Sequence, residues 1–123
     1  MRYRVIASIT GVLSVVFGLL LLIVPGTLTS IYGIAATDRE AMILRLLGAS
    51  YAGYGALAWA ALGLRDRAGR RAVVIAQVVA WLLGLPVSVA VVSSGLTNGL
   101  GWSVVALQIL VPIAWIWAFL ETS

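Results

Sequence analysis

Four apolar runs, at residues 5–24, 41–64, 72–92 and 102–120, take up most of this chain. Each holds about 20 residues, the length a helix needs to cross a hydrocarbon core of about 30 Å. Inside lipid every backbone polar group must be satisfied within its own segment, so such runs fold as helices. Their lengths and short spacers predict an all-α polytopic membrane protein with four transmembrane helices. The expected form is a single domain over residues 1–123, with helices near 5–24, 38–64, 71–93 and 101–120 in an up-down-up-down bundle. Composition agrees: 63% of the residues are hydrophobic, 10% are charged, and mean hydropathy is +1.13. A soluble domain carries about 25% charged residues.

The residue types that are missing narrow the chemistry. Without Cys there is no disulfide or thiolate, and without His there is no imidazole base or histidine metal ligand. Every basic residue is Arg, so no lysine Schiff base can form and a retinal or pyridoxal protein is excluded. The four acids, Asp38, Glu40, Asp66 and Glu121, all lie outside the deep apolar segments. A non-enzymatic protein with no metal and no resident cofactor is expected. Bound lipid fits this composition, and a quinone or pigment stays open.

Local signals mark the boundaries. The basic start Arg2-Tyr3-Arg4 resembles that of a signal peptide, but its apolar run exceeds the usual 7–15 residues and lacks a small-x-small cleavage site. It reads as a retained first helix, ended by Pro25 and Gly26. Residues 27–36 are too short to span and read as an interfacial turn with Tyr32 at headgroup level. Thr37-Asp38-Arg39-Glu40 has the pattern of a capping box, which starts a second helix near Asp38. Leu64-Arg65-Asp66-Arg67-Ala68-Gly69-Arg70-Arg71 reads as a short basic turn that makes the second and third helices antiparallel neighbours. Pro86 and Pro112 each remove one backbone hydrogen bond inside a helix, which predicts kinks.

The arginines set an expected orientation. Arg2, Arg4, Arg65, Arg67, Arg70 and Arg71 fall on one side, against Arg39 beside two acids on the other. The positive-inside rule then puts both termini in the cytoplasm. The net charge of +4 is read as topology rather than as a nucleic-acid footprint. Arg65, Arg67, Arg70 and Arg71 are candidates to hold anionic headgroups or an acidic partner surface.

Small residues mark where helices approach in lipid. Gly48, Ala52, Ala56 and Ala60 recur at every fourth position, with Ala49 and Gly53 alongside; Ala72, Ala76, Ala80, Gly84 and Ser88 do the same further on. Ser8, Gly11, Ser14 and Gly18 follow three- and four-residue steps. These strips predict tight packing within the bundle or against a second polypeptide. A lone amide at Gln77, one turn before Trp81, reads as a bond between helices. Trp102, Trp115 and Trp117 fit interfacial belts, whereas Trp59 and Trp81 have no evident place.

Arg45 is the only charge inside an apolar run. It could snorkel to the outer headgroups, serve as a buried donor to the Gln108 side chain and the carbonyl freed by Pro112, or line a ligand cavity. In the last case Gln108, Ser88, Tyr51 and Tyr54 are its expected companions, although tyrosines at such depth more often pack than bind. Ile31-Tyr32-Gly33, Arg45-Leu46-Leu47-Gly48-Ala49, Gly53-Tyr54-Gly55 and Gly101-Trp102 together resemble a broad set of uncharacterised bacterial four-helix membrane proteins. That resemblance implies the fold and a bacterial inner membrane, and no activity. Small multidrug transporters fit poorly because the first helix carries no glutamate, and dual-topology fluoride channels conflict with the charge bias. The expected role is a structural or accessory subunit, or a homo-oligomer, partnered by membrane lipids and other membrane subunits or itself. Its rival is a small transporter or lipid- or quinone-binding protein built on an outer-half pocket around Arg45.

Overall fold

A computed structural model of the protein describes residues 2–121, and within them every regular element is a helix. α1 spans Arg2–Ile23, α2 Pro25–Ile31, α3 Asp38–Ala60, α4 Arg67–Ser93 and α5 Gly101–Glu121, with a 3-10 turn at Ala61–Gly63. α1, α4 and α5 are long and apolar enough to cross a membrane. α3 has the length but not the same apolarity, because Arg45 and a run of Gly, Ser and Tyr dilute it.

The ends of these helices follow from local chemistry. Pro25 opens α2 rather than only closing α1, since a first-turn residue needs no amide donor. The expected interfacial turn is therefore a helix for much of its length. Gly33 closes α2 at φ +77°, which lets Gly33 donate to Ser30 O (3.0 Å) and Ile34 to Thr29 O (2.9 Å). The capping box at α3 is formed as expected: Glu40 N donates to Thr37 Oγ1 (3.2 Å) and Thr37 N to Glu40 Oε2 (3.0 Å). At α4 the sequence reading needs correcting. Asp66 caps the helix by accepting from Gly69 N at 2.6 Å, so α4 starts at Arg67 and the basic turn shrinks to residues 64–66. Both α4 and α5 continue as helix through Pro86 and Pro112.

The long helices alternate in direction. At one end the Arg2 amide donates to Glu121 Oε2 (2.6 Å), the Arg2 guanidinium pairs with the same carboxylate (3.8 Å), and Arg70 lies over the Tyr3 ring. At the other, Asn98 Nδ2 donates to Ile31 O and Asn98 N to Tyr32 O, each at 2.8 Å, which ties α2 to the turn before α5. The buried core sits at the arginine-rich end, where Tyr3, Ala7, Ala58, Val73, Val74, Val111, Trp115 and Ala118 meet. Trp115 is fully buried there, edge-on to Tyr3 at 5.8 Å, and is not the interfacial residue expected. It shares a face of α5 with Val111 and Ala118, while Trp102 and Trp117 do lie exposed.

Packing is pairwise. α3 lies along α1, α4 along α5, and α1 touches α5, whereas α3 and α4 meet only sparsely despite their short connection. Glycines explain the first pair. A methyl group on Gly18 would lie 2.5 Å from Ala52 N and 2.6 Å from Gly48 O, and one on Gly55 2.8 Å from Val15 N and 2.9 Å from Gly11 O. Gly11 and Gly18 thus oppose Gly55 and Gly48, two turns apart in each helix, and the backbones touch. The expected small-residue strip is only partly used. Gly48 is buried and Ala52 half-buried, but Ala56 and Ala60 are exposed because the true seam runs through Gly55. On α4, Ala76, Ala80 and Gly84 are half-buried, and Ala80 and Gly84 edge an opening toward α3.

Candidate functional site

The gap between α3 and α4 arises from what their facing sides carry. α3 presents Leu47, Tyr51 and Tyr54, which are too large for close approach, while α4 presents Ala80, Trp81 and Gly84. One side chain crosses the gap. Gln77, fully buried, donates from Nε2 to Tyr54 O at 3.1 Å and accepts from Trp81 Nε1 at 3.3 Å. This is the inter-helix amide bond that the sequence suggested. Tyr51 is held at its ring by Phe17 of α1, edge-on at 5.4 Å, and by Trp81 at 6.3 Å.

Around Tyr51 three cavities adjoin. The first, about 260 Å³, is bounded by Leu47, Tyr51 and Tyr54 of α3, Ala80, Trp81 and Gly84 of α4, and Gln108 of α5. The second, about 190 Å³, extends toward the Asn98 end past Ser88 and Tyr32. The third, about 80 Å³, lies between Ser14, Phe17, Tyr51 and Trp81. Tyr51 lines all three, and no charged side chain lines any of them.

Two fully buried polar atoms of wall residues lack partners among the described residues. Gln108 is 3% exposed, yet its Oε1 accepts no hydrogen bond; Ser14 Oγ is equally buried and equally free. Gly84 makes room for the amide, since a methyl group there would lie 2.7 Å from Gln108 Nε2. The hydroxyls of Tyr51 and Tyr54 also make no hydrogen bond among the described residues, and the Ser50 hydroxyl is spent on Leu46 O (3.1 Å). The walls therefore offer an amide and hydroxyls, which donate and accept hydrogen bonds without carrying charge.

The residues grouped by sequence divide in two. Tyr51, Tyr54 and Gln108 share the first cavity, and Ser88 joins Tyr51 in the second. Arg45 belongs to neither. It is exposed, makes no hydrogen bond or ion pair among the described residues, and sits among the exposed Met42, Ile43 and Leu46. About two and a half helical turns separate it from Tyr54, so the two point to opposite sides of α3. The Arg45–Gln108 bond, one of the three roles the sequence left open for Arg45, is not formed. Ser14, which the sequence offered only as a packing residue, is the site residue that reading missed. Its signal was a hydroxyl in the middle of an apolar run.

At the arginine-rich end the cations also divide. Arg2 lies 4.3 Å over the Trp117 ring, Arg67 4.6 Å over Phe119 and Arg70 4.8 Å over Tyr3, and Arg70 Nε donates to Leu64 O at 2.9 Å. These three brace their own chain. Arg4, Arg65 and Arg71 are exposed, with side chains that pair with nothing among the described residues. No family model, curated protein or solved structure matches this chain, so the site is read from its own geometry.

Proposed function

We propose that this chain is a small non-enzymatic protein of the bacterial inner membrane that holds a lipophilic ligand in the cavity between α3 and α4. In this reading α3 crosses the bilayer beside α1, because the Gly18–Gly48 and Gly11–Gly55 approaches run the two helices together along their length. Arg45 then snorkels from the lipid-facing side of α3 to the outer headgroups. The arginine-rich end faces the cytoplasm under the positive-inside rule, with Arg4, Arg65 and Arg71 toward anionic lipid.

One observation carries the binding role: a cavity of about 260 Å³ opens between two consecutive helices and is bordered by a buried amide, Gln108, whose oxygen no described residue satisfies. Ligand sites are concave, mostly apolar, and provided with a few convergent polar groups. An amide and hydroxyls, with no adjoining acid or base, suit binding better than bond-making chemistry.

An accessory or self-associating role is favoured by a different feature. Ala49, Gly53, Ala56 and Ala60 form an exposed strip on α3, left over after the seam with α1 is made. Native mass spectrometry of the full chain, gently extracted from its own membranes, separates the two roles. A retained small lipophile that is lost on filling the cavity with Ala80→Phe supports the binding role. A stoichiometric foreign polypeptide, with no small molecule and no effect of Ala80→Phe, replaces it with the accessory role.

A further inference from the structure

The α3–α4 cavity, taken as a binding site in the reading above, also restricts what can bind. Its polar side is a single buried amide, Gln108, with an acceptor oxygen that no described residue reaches. The adjoining third cavity, which shares Tyr51 and Trp81 with the first, is walled by the equally unpartnered Ser14. Leaving such groups desolvated and unmatched costs stability, and an apolar residue would remove that cost. Gln108 also lines the first cavity, with Nε2 beside Gly84, so its amide can meet a bound ligand.

Charge sorts the possible partners. No Arg, Asp or Glu lines any of the three cavities, and Arg45 lies on the far side of α3. An ionised head placed beside Gln108 would lose its water and gain no counter-ion, which is strongly unfavourable in a low-dielectric interior. A neutral hydroxyl loses far less, and it can accept from Gln108 Nε2, which lies beside Gly84 on the wall of the first cavity. The rest of the wall is apolar or aromatic, with Leu47 and Leu83 at the exposed edge of the opening, where a hydrocarbon tail can leave between the helices.

We infer that the cavity selects an uncharged amphiphile whose hydroxyl-bearing head is buried against Gln108 while its tail passes out between α3 and α4 into lipid. Two sources carry this chemistry, a quinol ring and a neutral lipid alcohol. Phe17, Tyr51 and Trp81 beside the cavities suit the ring. The Tyr51 hydroxyl offers a further hydrogen bond to either head.

The test uses the full-length protein in nanodiscs of zwitterionic lipid and follows fluorescence from Trp81, which borders the cavity. A Trp81→Phe control identifies the responding ring. The probes are a short-tailed ubiquinol, dioctanoylglycerol, and dioctanoyl phosphatidic acid as the anionic counterpart. Saturable binding is expected for at least one neutral probe, with the anionic probe about tenfold weaker or more. Preference for the quinol assigns a ring head and preference for the glyceride a lipid alcohol; both support the inference.

Gln108→Met should weaken the neutral probe about three- to tenfold, the worth of one hydrogen bond. The same variant without ligand should be as stable as the parent or more so, because an orphaned acceptor is removed. A purely structural Gln108 would give the reverse, lower stability with unchanged binding. The inference is overturned if neither neutral probe binds saturably, if the anionic probe binds as tightly, or if Gln108→Met binds as the parent does. If Ala80→Phe still abolishes retention of the native lipophile in those cases, the cavity remains a binding site and only its selectivity for the head is lost.

Discussion

α3 meets α1 and α4 in opposite ways. Toward α1 it turns Gly48 and Gly55, and the two backbones come into contact at Gly18–Gly48 and Gly11–Gly55. Toward α4 it turns Leu47, Tyr51 and Tyr54, and the helices stand apart around a cavity with Gln77 as the one hydrogen-bonded bridge. The spacing of α3 from each neighbour follows the size of the facing side chains and the few polar bonds between them. One helix can therefore be sealed on one face and open on another within a few residues. The sealed face makes the scaffold, and the open face leaves the cavity.

The largest expected effect comes from forcing the sealed face apart. Gly18→Ala should destabilise the fold by about 1–3 kcal/mol, the usual cost of overpacking, because the new methyl group meets backbone atoms that cannot rotate away. Gly18→Leu should leave little folded protein. Denaturant titration in mixed micelles measures both, and a Gly18→Ala variant as stable as the parent would break the contrast between the two faces. Cutting the bridge on the open face should matter less. Gln77→Leu removes the bonds to Tyr54 O and from Trp81 Nε1, for a loss of about 1 kcal/mol and a change in Trp81 fluorescence as its ring is released.

Asn98 ties α2 to the turn before α5 by donating to Ile31 O and accepting from Leu100 N at 3.1 Å. Asn98→Ala should cost somewhat less than about 1 kcal/mol, because the two side-chain bonds it removes are exposed, and should speed hydrogen exchange in α2 before α1. The smallest effect, with opposite sign, is expected for Gly53→Ala. No atom lies within 4 Å of the position a methyl group would take, and Ala is the better helix former, so stability should hold or rise by no more than about 1 kcal/mol. A large loss at Gly53 would place a second helix against that strip and sharpen the case for self-association.

Much of this was legible in the sequence, and the exceptions have common causes. The Thr37–Glu40 capping box was readable because its signal lies within one turn of chain. The start of α4 was misjudged because the arginines around Asp66 hid an equally local cap. Gln77 was recognised as a bridge because an amide in an apolar run has few other uses. Trp115 was assigned to the interface by its nearness to the chain end, but its helical phase, in register with Val111 and Ala118, turns it inward. Arg45 drew attention as the only charge in a span, although its phase already set it opposite Tyr54.

The sequence by itself determined that the chain is helical, roughly where its helices lie, which end collects the arginines, and which residue types any site could use. Those properties come from backbone satisfaction and hydrophobic period, which act over a few turns. Only the tertiary structure decided that α3 closes on α1 and opens toward α4, that Ser14 and Gln108 border the space left between them, and that Arg45 stays outside it. Several small-residue strips of nearly equal promise were available, and sequence does not say which will pair. The choice belongs to the packing of all the helices at once, because each glycine seam that closes sets the distance left for the next pair.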